Sequence, residues 1–121
     1  MAKIFLDTNT FIDIVEKRDA KLLSQISSNP LFLSAYSIPV WFYVYKHSVP
    51  NPKFEELFNA FNIIDTTRDI ISRSLIGPTD DLEDNIQLHS ASDLGCDFFL
   101  TKDKVLLKLG YFGKVRICDS L

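Results

Sequence analysis

Cysteine is scarce in this chain. Its two thiols, Cys96 and Cys118, make neither a disulfide framework nor a zinc motif. They read as packed thiols in a reducing compartment. Long apolar runs are missing too. The N-terminus has no stretch of signal-peptide length, and no run is long enough to span a bilayer, so a soluble cytoplasmic protein with no membrane contact is expected. An excess of basic residues is also absent. Thirteen Lys and Arg stand against sixteen Asp and Glu, a formal charge of −3, which argues against an electrostatic nucleic-acid binder of the usual basic kind. It leaves room for a nuclease, because cations held by carboxylates carry positive charge into a site. Only two histidines occur, His47 and His89. Both are isolated and read as surface or partly buried side chains rather than catalytic bases. Internal repeats, low-complexity tracts and linkers are lacking, so a single domain covers residues 1–121.

What is present fits an ordinary globular core. Apolar residues make up 46% and charged residues 24%, which argues against intrinsic disorder. Ten phenylalanines point to an aromatic-rich interior. The organising stretch is Ile4-Phe5-Leu6-Asp7-Thr8-Asn9. A short apolar run ends in a carboxylate, a hydroxyl and an amide, and Phe11, Ile12 and Val15 then share one helical face. That is the start of a β-α unit. Asp7 or Thr8 is also a sufficient N-cap for the helix.

The pattern repeats. A second short helix is expected from about Ala20, and Leu31-Phe32-Leu33 is a strand ending at Ser34. The stretch Tyr36 to Tyr45 is β-branched and aromatic, but Pro39 favours a helix over a central strand. A helix so apolar on all sides needs cover from the core on one side and from a second copy or a partner on the other. Phe54, Leu57, Phe58 and Phe61 follow helical spacing after Pro50-Asn51-Pro52. Asn62 to Asp65 is a short strand, and Ile70, Ile71, Ser74 and Leu75 mark another helix. Asp80 to Asp84 opens a helix whose inward face is Leu88, Ala91 and Leu94, closed by Gly95. Asp97 to Leu100 is a strand, Val105 to Leu107 a short helix, Tyr111-Phe112-Gly113 a packed turn, and Lys114 to Cys118 the last strand. The alternation predicts an α/β fold with a mainly parallel sheet and helices on both faces.

Three carboxylates are expected to meet. Asp7 and Asp103 each follow a strand, and ligands of open parallel sheets gather at the carboxyl ends of strands. Asp84 lies four residues before Leu88, so it faces inward, where a carboxylate is costly unless paired or metal-bound. Converging acids repel and raise one another's pKa. A divalent cation resolves the conflict, and ligands that are all oxygen indicate Mg²⁺ or Mn²⁺. Such an ion holds a phosphate and activates a water for hydrolysis. Thr8, Asn9, Ser34 and Thr101 are candidates for orienting water or phosphate. Lys102 and Lys104 flank Asp103 and are the candidate contacts to a phosphate backbone.

Phe5-Leu6-Asp7-Thr8-Asn9, Glu83-Asp84-Asn85-Ile86-Gln87-Leu88-His89-Ser90-Ala91 and Phe99-Leu100-Thr101-Lys102-Asp103 resemble, in order and spacing, the three anchoring motifs of the PIN domain. That is a family of metal-dependent nucleases which includes the VapC-type toxins of toxin-antitoxin pairs. The resemblance covers nearly the whole chain. It implies a three-layer α/β/α sandwich, cleavage of single-stranded RNA by a homodimer, and a small antitoxin partner. It matches Asp7, Asp84 and Asp103 to the metal-binding acids and Thr101 to the polar residue lining the site. There is one departure. The family's Glu in the helix after the second strand falls here at about Val40 or Trp41, and that helix has no acid. Asp80, Asp81 and Glu83 are the candidates to compensate. A degenerate module that binds RNA or protein without cutting is the main rival. A flavodoxin-like or receiver-like signalling domain ranks below it, because only Asp65 loosely fills the mid-chain phosphoacceptor position.

Overall fold

Strand β1 (Ile4–Leu6) sends alternate side chains to opposite faces of the sheet, so Ile4 and Leu6 enter one core and Phe5 the other. The computed structural model describes residues 1–121. In chain order β1 is followed by α1 (Thr8–Val15), α2 (Ala20–Ile26), β2 (Leu31–Ser34), α3 (Ser37–Val44), α4 (Pro52–Phe58), β3 (Asn62–Ile64), α5 (Arg68–Ser74), α6 (Leu82–Asp93), β4 (Phe98–Leu100), α7 (Lys104–Leu109), β5 (Tyr111–Phe112) and β6 (Val115–Cys118). The sheet order is β3-β2-β1-β4-β6-β5. Every pairing is parallel except β5 with β6. Parallel neighbours need crossovers, and the helices supply them.

The two cores define three layers. On one face Ile4, Leu6, Leu33 and Leu100 pack with Phe11, Ile26, Trp41 and Phe54 from α1 to α4. On the other, Phe5, Phe99, Val115 and Ile117 pack with Leu88, Ala91 and Leu106 from α6 and α7. Phe5 and Phe99 stack across β1 and β4 at 5.5 Å. Phe11 meets Trp41, Phe54 and Phe61 edge-on. Both arrangements suit aromatic quadrupoles. The expected α/β/α sandwich with a mainly parallel sheet is what the chain forms.

Several local expectations change. Tyr111 and Phe112 are a short strand, because they pair antiparallel with Arg116 and Val115. Helix α4 stops at Phe58. Phe61 still packs in the core from the following turn, whereas Phe58 is 44% exposed. Ile70 and Ser74 are the buried face of α5, while Leu75 is 69% exposed. Helix α3 buries Ser37 and Trp41 but leaves Tyr43 85% and Val44 58% exposed. One side of α3 is core and the other is bare.

Candidate functional site

Both Asp7 and Asp103 leave the carboxyl ends of adjacent strands, β1 and β4. Each caps the helix that follows. One oxygen of Asp7 accepts from the Thr10 amide at 2.8 Å. One oxygen of Asp103 accepts from the amides of Val105 and Leu106, at 2.8 and 3.2 Å. Capping is therefore real at both positions, but it does not exhaust either carboxylate. The second oxygen of Asp7 accepts from the Thr101 hydroxyl at 2.5 Å. The same hydroxyl oxygen accepts from the Asp103 amide at 3.0 Å. Thr101 is fully buried and ties the two acid-bearing strand ends together.

Asp84 comes from the first turn of α6 and is half-buried. The loop before it is held by Asn85, which is 2% exposed. The Asn85 side chain accepts from the Thr79 amide and hydroxyl and donates to the carbonyls of Ser74 and Thr79. Asp81 caps α6 by accepting from the Asp84 amide at 3.0 Å. Gln87, one turn further on, accepts from the Thr8 amide at 2.8 Å through Oε1. This joins α6 to the start of α1.

Electrostatics mark the site. Burial, then the charges of Asp81, Asp103, Asp7 and Glu83, push Asp84 up to about 7. Burial also raises Asp7, with Asp103 adding to it, while donation from Thr101 and Thr10 pulls the other way. The molecule's ion pairs are His47–Glu16, Arg73–Asp69, Arg73–Asp93 and Lys102–Asp19. None engages Asp7, Asp84 or Asp103. Asp81 and Glu83 are close enough to Asp84 to raise it. Helix α3 offers no acid: Val40 is half-buried, and Trp41 is buried with its indole N–H on Glu16 at 2.7 Å.

As placed, the side chains form no ready-made cluster of three or more His, Cys, Asp or Glu ligands. The chemistry of the donors still suits a hard divalent cation. They are all oxygen, mutually repelling, and unpaired with Lys or Arg. Asp7 and Asp103 also each keep lone pairs beyond their capping bonds. None of the five cavities is lined by these acids. Asp7 is buried, Asp84 half-buried and Asp103 exposed, so the acids run from the sheet interior out to the surface.

The remaining candidates divide. Asn9 is exposed beside Asp7, and Lys104 is exposed beside Asp103. Thr8 is buried and its hydroxyl is bonded to Ser37 at 2.8 Å. Ser34 is fully buried and bonds Thr66 and the Tyr36 amide. The Lys102 ammonium is held by Asp19 at 2.6 Å. Sequence reasoning missed Gln87 and Ser37. The signal for Gln87 was its spacing of three from Asp84, which puts both on one helix face. Ser37 had none, because its partner lies 29 residues away.

No family model matches the chain, and no curated protein matches it. Its fold is similar to that of a chain in a toxin-antitoxin complex from Klebsiella pneumoniae, with a TM-score of 0.66 and 22% identity, over 93% of this chain and 94% of that one. No helix is long and apolar enough to cross a membrane.

Proposed function

We propose that this chain is a PIN-type endoribonuclease that depends on Mg²⁺ or Mn²⁺ and serves as the toxin of a toxin-antitoxin pair. What supports the reading is that Asp7 and Asp103 follow adjacent strands, that Asp84 lies near enough to feel both charges, and that no Lys or Arg pairs with any of the three. The structural likeness to a chain of a toxin-antitoxin complex supports the biological setting.

Asp7, Asp84 and Asp103 would hold the cation. When bound, it supplies positive charge for a phosphate and lowers the pKa of a coordinated water. Thr101 aims the Asp7 carboxylate by donating to it and opposes the effect of burial on its charged form. The acid edge admits single-stranded RNA, Asn9 offers an exposed amide to it, and Lys104 offers an ammonium to the backbone. Thr8 and Ser34 act from within by bracing the surrounding loops rather than by touching substrate. Lys102 meets phosphate only if it leaves Asp19.

An apolar cavity of about 320 Å³ between α1, α2 and α4, lined by Ile14, Val15, Leu23, Leu57 and Phe61 among others, is the seat for a small antitoxin. The bare face of α3, with Tyr43 and Val44, is the surface for a homodimer. A toxin that cuts RNA would do this work in the cytoplasm. The second reading is a non-cutting RNA- or protein-binding module. It is favoured by the acid-free α3 and by the lack of a ready-made ligand cluster.

The test is cleavage of mixed single-stranded RNA with Mg²⁺ or Mn²⁺ by wild type, Asp7→Asn and Asp103→Asn. Metal-dependent cutting that both variants abolish supports the nuclease. Intact RNA with wild type at high enzyme and either metal supports the binding module.

A further inference from the structure

Gln87 is a long polar side chain only 2% exposed, three residues after Asp84 on the same face of α6. Its Oε1 accepts from the Thr8 amide at 2.8 Å. Its Nε2 makes only a long contact with the Glu83 carbonyl one turn back, 3.4 Å. The bond that fixes it therefore crosses from α6 to the first turn of α1. Thr8 is 4% exposed, so its amide has no water to turn to, and no buried side-chain polar atom in the molecule is left unpaired. Losing the Gln87 oxygen would strand a buried N–H.

The position of that amide matters more than its energy. Thr8 is the first residue of α1, directly after Asp7. The Asp7 carboxylate accepts from Thr10 in the same turn, so the direction of its free lone pairs follows the seating of that turn. Gln87 and Asp84 share a rigid helix. One hydrogen bond thus spans the two elements that carry two of the three acids. Thr101 already links Asp7 to Asp103; Gln87 supplies the missing link to Asp84.

We propose that Gln87 is a positioning residue that sets the separation and aim of Asp7 and Asp84 for a shared divalent cation. The metal part of this rests on the nuclease reading above. Groups that orient metal-ligating side chains change metal affinity by about 10- to 100-fold when removed. A polar side chain that is merely packed does not.

The test compares wild type with Gln87→Met, which has similar length but no strong acceptor, and Gln87→Glu, which keeps an oxygen for the Thr8 amide. Ser90→Ala is the control. Ser90 is equally buried on α6, and its hydroxyl bonds only the Ile86 carbonyl of its own helix. Mn²⁺ affinity is read from the free-ion electron paramagnetic resonance signal, and the first turn of α1 from hydrogen exchange of the Thr8 and Thr10 amides by NMR. Gln87→Met is expected to bind Mn²⁺ at least about tenfold more weakly and to exchange both amides faster. Gln87→Glu restores both readouts, and Ser90→Ala changes neither. Wild-type affinity together with wild-type exchange of Thr10 in Gln87→Met overturns the proposal. So does an equal affinity loss in Ser90→Ala, which would make the effect general softening. If wild type binds no Mn²⁺, the metal reading fails on its own. The positioning of Asp7 is then decided by Thr10, whose faster exchange in Gln87→Met upholds it and whose unchanged exchange overturns it.

Discussion

Two partly buried carboxylates, Glu16 and Asp84, sit in opposite electrostatic worlds. Glu16, at the end of α1, accepts from the Trp41 indole at 2.7 Å and meets the His47 ring at 2.9 Å. Those bonds, first His47 and then Trp41, hold it below its ordinary value. Asp84 is surrounded by acids and raised to about 7. The first has its partners in the protein and serves structure. The second has a charge that the protein leaves unbalanced at the sheet edge. Residue type alone does not separate them, since both are acids at helix ends. The donors that converge on each do.

The largest expected effect falls on the acid edge. Asp7→Asn, Asp84→Asn and Asp103→Asn should each lower metal-dependent RNA cleavage by at least about a thousandfold, several kcal/mol of lost transition-state stabilisation. Glu16→Gln should leave cleavage unchanged. Retained activity in any of the three acid variants, measured as initial rates under saturating metal, would dissolve the contrast.

Stability should show the reverse. Glu16→Ala strands the Trp41 N–H and should cost roughly 1–3 kcal/mol in urea denaturation. Asp84→Asn, which removes one of several repelling charges, should leave stability equal or higher at pH 7.

The pH dependence sharpens this. The folded value of Asp84 lies above its ordinary 3.8, at about 7, so the folded chain holds a proton that the unfolded chain has lost. Its contribution is full below about pH 4 and disappears as pH rises through about 7. Glu16 is lowered, so its contribution is present above its ordinary 4.5 and is lost as pH falls below that value. Urea midpoints of metal-free protein between pH 4 and 8 should therefore decline toward neutrality through the Asp84 part. Asp84→Asn should make that decline shallower, the remainder belonging to Asp7, which burial also raises, and added Mn²⁺ should offset it. An unchanged decline in Asp84→Asn would assign it elsewhere.

The smallest effect concerns Lys104. Lys104→Ala should weaken RNA binding evenly across sequences and reduce the slope of log affinity against log salt by about 0.7, one single-strand phosphate contact. A change confined to particular sequences would instead mark Lys104 as a base contact.

Much of the architecture was legible because it is written in local periods. Ile4-Phe5-Leu6 alternates between two cores, and β1 and β4 each lead to a helix capped by an aspartate. That pattern was enough to bring Asp7 and Asp103 to one edge. The inward turn of Asp84 followed from its helical distance to Leu88. What stayed hidden depends on partners far along the chain. Thr8 finds Ser37, Ser34 finds Thr66, Glu16 finds His47, and Lys102 finds Asp19. Of these, Thr8, Ser34 and Lys102 read as candidates for water or phosphate, and each is committed in the fold. The two-residue strand Tyr111–Phe112 was hidden for a related reason, since its pairing with β6 is decided by a neighbour and not by its own pattern.

The central claim is that Asp7, Asp84 and Asp103 share a divalent cation. Anomalous diffraction from crystals soaked in Mn²⁺ tests it most directly. A peak within coordinating distance of all three carboxylates is the expected result. A peak bound elsewhere, or an acid edge that stays empty at millimolar Mn²⁺, would contradict the account.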